Sequence, residues 1–467
     1  MPSLRSKKTI KSSSVKIIDY EPDEEGLRYY STRPSSTVSK YWTEDQASSP
    51  SSAKVFGDSM SKDLEHMCLK MFRDAELHEM LRKEMFDVMI AEPFDPCGLY
   101  LGDYLQIPST IIAMASSRID PIQIAIGQPT GLNFIAGPNS RYGPSSSILD
   151  RINNLWMFYT RTSMFQLVYA NLLDTVRQET GLMVRDITEI IEDAAYLFFN
   201  SNPYLDFPFP SLTKCVPIGG FSMNVSSWKS EQLPEDLDKI LDINDKTVYI
   251  SFGSVIRSVD MPESYQSSIL RVITSLPNVT FLWKYEDTPT FDLPKNLHIR
   301  KWFPQPALLS DDRLSLFITH GGLGSVMEVA YAGKPTIVVP LLFDQPMNGE
   351  MLSRHGGAKV YSKYDIPDAT KLANTIQDIL TNPAIQQAST RLADMLISQP
   401  INPISRLVDH AEFAAKFKKL PNLDPYSRQL NFMEFYFLDI VVLIIITVTV
   451  VLYGLYWIVR DKKVKIE

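Results

Sequence analysis

One stretch holds most of the residues whose types and spacing could do chemistry. Trp302-Phe-Pro-Gln305 precedes the apolar run Leu314-Ser-Leu-Phe-Ile-Thr319. Then come His320-Gly-Gly-Leu-Gly-Ser325, Glu328 and, after another apolar run, Asp344-Gln345. A strand that ends in a glycine-rich turn and opens a helix presents unpaired backbone N–H groups and the positive end of a helix dipole. That is a cradle for an anion such as a diphosphate. His320 at the strand end adds a hydrogen-bond donor, and Ser325 a hydroxyl. A second turn, Ser251-Phe-Gly-Ser254, follows the run Thr247-Val-Tyr-Ile250. Both turns sit at strand carboxyl ends, the ligand edge of a parallel sheet, so both can reach one phosphate pair.

Such turns need a sheet to hold them. Strands are predicted over 247–252, 279–284, 316–319 and 336–339, with helices between, as in a Rossmann-like domain running to about residue 380 with helical elements after it. This C-terminal domain is assigned to 236–430. The Gly-, Ser- and Pro-rich stretch 217–235 reads as a connector, with the linker proper at 221–235. Upstream, apolar spacing predicts a helix over 62–84, a strand over 86–91, a helix over 99–105 and a strand over 109–114. That βαβ alternation suggests a parallel sheet in a domain at 56–220. Loops over 126–147 lead to a long helix at 149–179. Its Trp156, Phe158, Tyr159, Phe165 and Tyr169 are either core residues or the lining of an apolar pocket. The fold class is α/β, two Rossmann-like domains followed by a transmembrane helix.

Trp302, Gln305, His320, Gly322, Ser325, Glu328, Asp344 and Gln345 stand in the order and spacing of the UDP-glycosyltransferase signature. Over residues 60–467 the chain resembles the membrane-anchored UDP-glucuronosyltransferases. The resemblance implies a glycosyltransferase B fold that moves glucuronate or glucose, with inversion, from a UDP-sugar to the hydroxyl of a small lipophilic acceptor. It implies that Trp302 stacks on uracil, Gln305 bonds the nucleoside, and Glu328 accepts from the ribose hydroxyls. Ser254, His320, Gly322 and Ser325 would hold the diphosphate, and Asp344 with Gln345 the sugar. No metal is then required, and homo- or hetero-oligomers with family members are further candidate partners. Gly324 departs from the pattern, standing where many relatives have Asn, so one phosphate contact is expected to be missing.

The resemblance weakens in the first half. Glu92 stands where the family has the Asp that orients a catalytic His, and Asp95 fits less well. The His itself has no counterpart, because polar sequence replaces the family's first strand, its His-bearing loop and two further βα units. The N-terminal domain is therefore expected to be incomplete. His66 and His78 are predicted to be solvated helix residues. An impaired enzyme follows, or alternatively a UDP-sugar-binding homologue acting as a regulatory partner of full-length family members.

The chain has 467 residues, 45% hydrophobic, 21% charged, with a formal charge of -8. That composition supports two cores and argues against nucleic acid as a partner, since phosphate backbones need concentrated Lys and Arg. Residues 440–459 carry no charge. They suit a membrane-spanning helix across about 30 Å of hydrocarbon. The basic tail at 460–467 is placed in the cytoplasm by the positive-inside rule, and the dilysine-like ending suggests the endoplasmic reticulum. Residues 1–55 contain no signal-peptide-like apolar stretch and are expected to be a disordered polar tail. Cys68, Cys97 and Cys215 are read as core thiols.

Overall fold

The computed structural model describes residues 16–18, 20–32, 39–44, 49–116, 119–129 and 147–464. The expected loop over 130–146 and most of the polar opening lie outside the described residues. Four parallel strands form a first sheet in the order β1 (Met89–Ala91), β2 (Thr110–Met114), β3 (Tyr196–Phe199) and β4 (Cys215–Pro217). One face is covered by helices α2 (Pro50–Arg73), α4 (Cys97–Tyr104), α5 (Asp120–Ala125) and α6 (Ile148–Thr180). These follow α1 (Glu24–Thr32), and α3 (Ala75–Lys83) lies between α2 and β1. Helix α6 matches the predicted long helix because its ends are signalled locally. A reciprocal Ser147–Asp150 capping box starts it, and Gly181, at φ 68°, closes it in the left-handed region. Strand β1 is the outer strand of its sheet, and Ile90 on it is 49% exposed.

The second sheet has six parallel strands: β5 (Thr247–Ser251), β6 (Thr280–Lys284), β7 (Leu297–Arg300), β8 (Leu314–Thr319), β9 (Thr336–Val338) and β10 (Ala358–Val360). Their spatial order is β10-β9-β8-β5-β6-β7. The order reverses between β5 and β8, which opens a crevice at the carboxyl ends of those two strands. Short β3, β4, β7 and β10 were not predicted. Helices α7 (Gln305–Ser310), α8 (Leu323–Ala332) and α9 (Gln345–Ser353) begin on that crevice side. Apolar cores fill both faces of the sheet.

Several expectations are corrected. Disorder over 1–55 fails wherever that stretch is described. Ser49 and Ser52 form a capping box that starts α2, with Pro50 in its first turn, so the Ser/Pro run is a helix start. Further upstream, Trp42 is fully buried against Phe252 and Tyr265, at ring separations of 4.8 and 6.3 Å. The Lys363 ammonium donates to the carbonyls of Tyr41 (2.9 Å), Glu44 (2.5 Å) and Leu341 (3.5 Å). The segment 39–44 is therefore strapped onto the second domain by one indole and one buried cation.

Cys68 and Cys97 are not free thiols: they form a disulfide between α2 and α4, and Cys215 remains a buried thiol. His78 is buried rather than solvated. It bonds the Met71 carbonyl (2.9 Å) and packs on Tyr104. His66 lies half-buried against the Tyr29 ring. The 236–430 domain also fails at its end, because α10 (Pro403–Phe417) returns to the bare face of the first sheet. Ala414 and Leu420 join Ile111, Tyr196, Phe198 and Val216 there, and Arg406 donates to the Pro217 carbonyl (3.0 Å). The last helix, α11 (Leu438–Val464), contains a 21-residue stretch, Leu438–Ile458, that is long and apolar enough to cross a membrane.

Candidate active site

The crevice is built around His320. Its ring fits between two glycines: a Cβ added to Gly253 would lie 2.6 Å from the imidazole, and one added to Gly322 equally close. Gly253 and Gly321 also adopt positive φ, 83° and 85°, which side chains resist. The SFGS and HGGLGS turns are thus in van der Waals contact through that ring. Gly322 caps α8 without a side-chain hydrogen bond, and the first bond within the helix is Val326 N–H to the Gly322 carbonyl (3.0 Å). The N–H groups of Leu323, Gly324 and Ser325 consequently precede the hydrogen-bond ladder and face the crevice with the positive helix end. Gly324 is exposed, with open space where a side chain would sit.

Burial, and secondarily the nearby Lys284 cation, lower the His320 pKa to about 4, so the imidazole is neutral at physiological pH. Lys284, at the carboxyl end of β6, is buried and donates to the Gly253 carbonyl (2.7 Å) and the Glu286 carboxylate (2.9 Å). Its ammonium lies 5.8 Å from the centre of the exposed Trp302 ring. This cation was missed from sequence, although it ends a predicted strand on the ligand edge.

A second cluster lies one turn along α8. The Gln305 amide donates to Ser325 Oγ (3.1 Å) and to Glu328 Oε2 (2.6 Å), while its carbonyl accepts from the Tyr249 hydroxyl (3.3 Å). Burial raises the Glu328 carboxyl pKa, and the Gln305 bond partly opposes this. Gln305, Ser325 and Glu328 therefore form one connected polar wall beside the α8 terminus. Ser254 is exposed at the opposite turn.

Asp344 and Gln345 sit after β9, beyond Phe343 with its positive φ of 54°. The Gln345 side-chain carbonyl accepts from the backbone of Leu341 (2.8 Å) and Leu342 (2.9 Å), which leaves its amide nitrogen as the donor. Asn348 donates to the Gly321 carbonyl (3.0 Å) and so ties α9 to the cradle. Burial raises the Asp344 carboxyl pKa, offset in part by Asn348.

Glu92 lies across the domain interface. Its Oε2 accepts from the N–H of Phe94 (2.7 Å) and Asp95 (3.3 Å), bracing the turn into α4. Burial raises its pKa, against hydrogen bonds from the Phe94, Ala115 and Asp95 backbone. Asp95 is likewise raised by burial and accepts from Cys97 N–H (3.1 Å). Phe94 meets Phe343 edge-on at 5.9 Å, so the Glu92 and Asp344 loops face each other. Among the described residues, the hydrogen bonds to Glu92 come from backbone N–H groups and none from a histidine. His355 and His410 bond the carbonyls of Leu205 (2.8 Å) and Arg406 (2.7 Å), and His298 is on β7.

Comparison with known proteins shows the family and the fold. The family described as UDP-glucoronosyl and UDP-glucosyl transferase matches residues 9–466. A putative UDP-glucuronosyltransferase, ugt-48, from Caenorhabditis elegans is 27% identical over 401 residues, covering 84% of this chain and 75% of that protein. UDP-glucuronosyltransferase 2C1 from Oryctolagus cuniculus is 26% identical over 399 residues, covering 85% and 78%. Among solved structures, Phytolacca americana UGT2 complexed with UDP-2fluoro-glucose and pterostilbene superposes with a TM-score of 0.52. It is 18% identical, covering 77% of this chain and 82% of that one. The glycotransferase of kitacinnamycin gives the same TM-score at 17% identity, covering 77% and 82%. The fold is the glycosyltransferase B arrangement expected from the sequence.

Proposed function

Because the chain belongs to the UDP-glucuronosyl and UDP-glucosyl transferase family, we propose that it holds a UDP-sugar in the β5–β8 crevice. Transfer would go, with inversion, to the hydroxyl of a small lipophilic acceptor, with glucuronate or glucose as the sugar. The observation that carries the donor half is the convergence of His320, Lys284 and the uncapped α8 terminus on one crevice. The diphosphate takes the N–H groups of Leu323, Gly324 and Ser325, the Ser325 and Ser254 hydroxyls, and a proton donor on neutral His320. Gly322 contributes by leaving room. Lys284 supplies positive charge from behind Gly253, so a metal is not needed to neutralise the leaving UDP. Uracil stacks on Trp302, Gln305 bonds the nucleoside, Glu328 accepts from the ribose, and Asp344 with the Gln345 amide nitrogen holds sugar hydroxyls.

In the transfer step the acceptor oxygen bonds to the sugar C1 while the bond from C1 to the diphosphate oxygen breaks. The electron pair leaves with UDP, and the hydroxyl proton needs a base. Glu92 is the carboxylate on the facing loop, but its Oε2 already receives two backbone N–H groups and no histidine accompanies it. Transfer is therefore slow in this chain. That same observation favours a second reading, a UDP-sugar-binding partner that regulates active family members by association.

We also assign the chain to the membrane of the endoplasmic reticulum, anchored by α11 with its basic tail in the cytoplasm. The Cys68–Cys97 bond supports an oxidising, lumenal setting for the folded part. Asn224 of the sequon Asn224-Val-Ser226 is exposed, so Asn224→Gln should remove a glycan-dependent gel shift in microsomes. Absence of any shift in either form would sink the lumenal assignment. Donor binding is tested by calorimetry on the full chain in detergent. Saturable UDP binding that survives a chelator is expected; no binding at millimolar UDP would overturn the reading.

A further inference from the structure

The loop from β9 into α9 carries Asp344 and Gln345, but part of its support comes from the first domain. Phe343, at φ 54°, turns the backbone into Asp344. A bulky side chain keeps a left-handed backbone only where its surroundings over-determine it. Two rings from the first domain do so here: Phe56 of α2 and Phe94 of the Glu92 loop meet the Phe343 ring edge-on, at 5.6 and 5.9 Å. Phe56 is itself fixed, because Ala53, Met60 and Leu64 on the same helix are buried in the first core.

Phe56 is also backed from the other side. Tyr41, buried in the second domain, meets its ring edge-on at 6.4 Å. The Lys363 ammonium then joins the Tyr41 carbonyl (2.9 Å) to the Leu341 carbonyl (3.5 Å), three residues ahead of Asp344. Phe343, Phe56, Tyr41, Lys363 and Leu341 thus close a ring of contacts around one loop, and of these five Phe56 alone belongs to the first domain. The nucleotide wall is held differently: Gln305, Ser325 and Glu328 bond one another inside the second domain. A change at Phe56 therefore reaches the sugar loop without touching that wall.

We propose, resting on the reading that the donor sugar sits at Asp344 and Gln345, that Phe56 is a positioning residue for that sugar. It acts through Phe343, whose turn carries the Asp344 carboxyl. A first-domain helix thereby sets how the sugar is held, while the uridine is held by the second domain alone.

The test is calorimetry on the full chain in detergent with UDP, UDP-glucose and UDP-glucuronate. Phe56→Ala should weaken both UDP-sugars about three- to tenfold, the worth of one aromatic pair, and leave UDP unchanged, which also shows that the fold is intact. Phe56→Leu, which keeps much of the apolar volume, should recover part of the loss. Adding Phe56→Ala to Phe343→Ala should cost no more than Phe343→Ala alone, since residues acting through one another are not additive. Equal weakening of UDP and the UDP-sugars, no weakening of either, or additive losses in the double variant would overturn the role of Phe56. UDP-sugar affinity unchanged by Asp344→Asn would instead overturn the placement of the sugar, and the role of Phe56 with it.

Discussion

Glu92 and His320 both stand at the carboxyl end of a strand in a parallel sheet, yet their surroundings differ in kind. His320 ends β8, whose neighbours β5 and β9 flank it on both sides, and two glycines and a lysine shape its pocket. Glu92 ends β1, the outer strand of its sheet, and its carboxylate is occupied by its own loop. A switch point creates a crevice at which groups from several strands converge, whereas an outer strand offers partners on one side only. The second domain therefore carries a constructed crevice, and the first domain keeps a carboxylate held by its own backbone.

The sharpest test of this contrast is turnover. Full-length chain in microsomes, assayed with UDP-glucose and UDP-glucuronate against phenols and steroids, should run about 10²- to 10⁴-fold slower than a relative with its general base. Glu92→Gln should change little further. Fast turnover abolished by Glu92→Gln would erase the contrast.

The strap gives the next largest effect. Trp42→Ala removes a fully buried indole from beside Phe252, next to the Gly253 turn, and should cost about 3–5 kcal/mol of stability by denaturant unfolding in detergent. A loss near zero would show that the strap is not part of the second domain. Glu328→Ala should weaken UDP binding by about 1.5–3 kcal/mol in calorimetry, the range for hydrogen bonds to a charged group. Unchanged affinity would move the ribose elsewhere.

The smallest effect is a pH dependence. His320 is held neutral in the folded chain down to about pH 4, while the unfolded chain takes up that proton near 6.5. The unfolded state then binds more protons between those values, so stability should fall as pH drops from about 6.5 to 4. Raised carboxyl pKa values at Glu328 and Asp344 act in the opposite sense, so the His320 contribution is read as the difference from His320→Gln. Identical profiles for the two proteins would place His320 in water.

Local signals made much of this legible. The strand–glycine turn–helix pattern around His320, strands β5, β6, β8 and β9 of the second sheet, the capped ends of α6 and the uncharged stretch at 440–459 depend on residues close together in sequence. Their physics is helix periodicity, capping and backbone freedom at glycine, which one stretch of chain expresses alone. Lys284 beneath Gly253, the Cys68–Cys97 bond, buried His78 and the return of α10 to the first sheet involve partners brought together only by folding. A polar opening with one Tyr-Trp pair reads as disorder until a distant apolar surface, Phe252 and Tyr265, is placed where it can bury the indole. The sequence by itself determined which backbone turns could cradle a diphosphate. The tertiary structure decided which charge stands behind them and how the Glu92 carboxylate is occupied, because burial and electrostatic pairing are properties of neighbours in space.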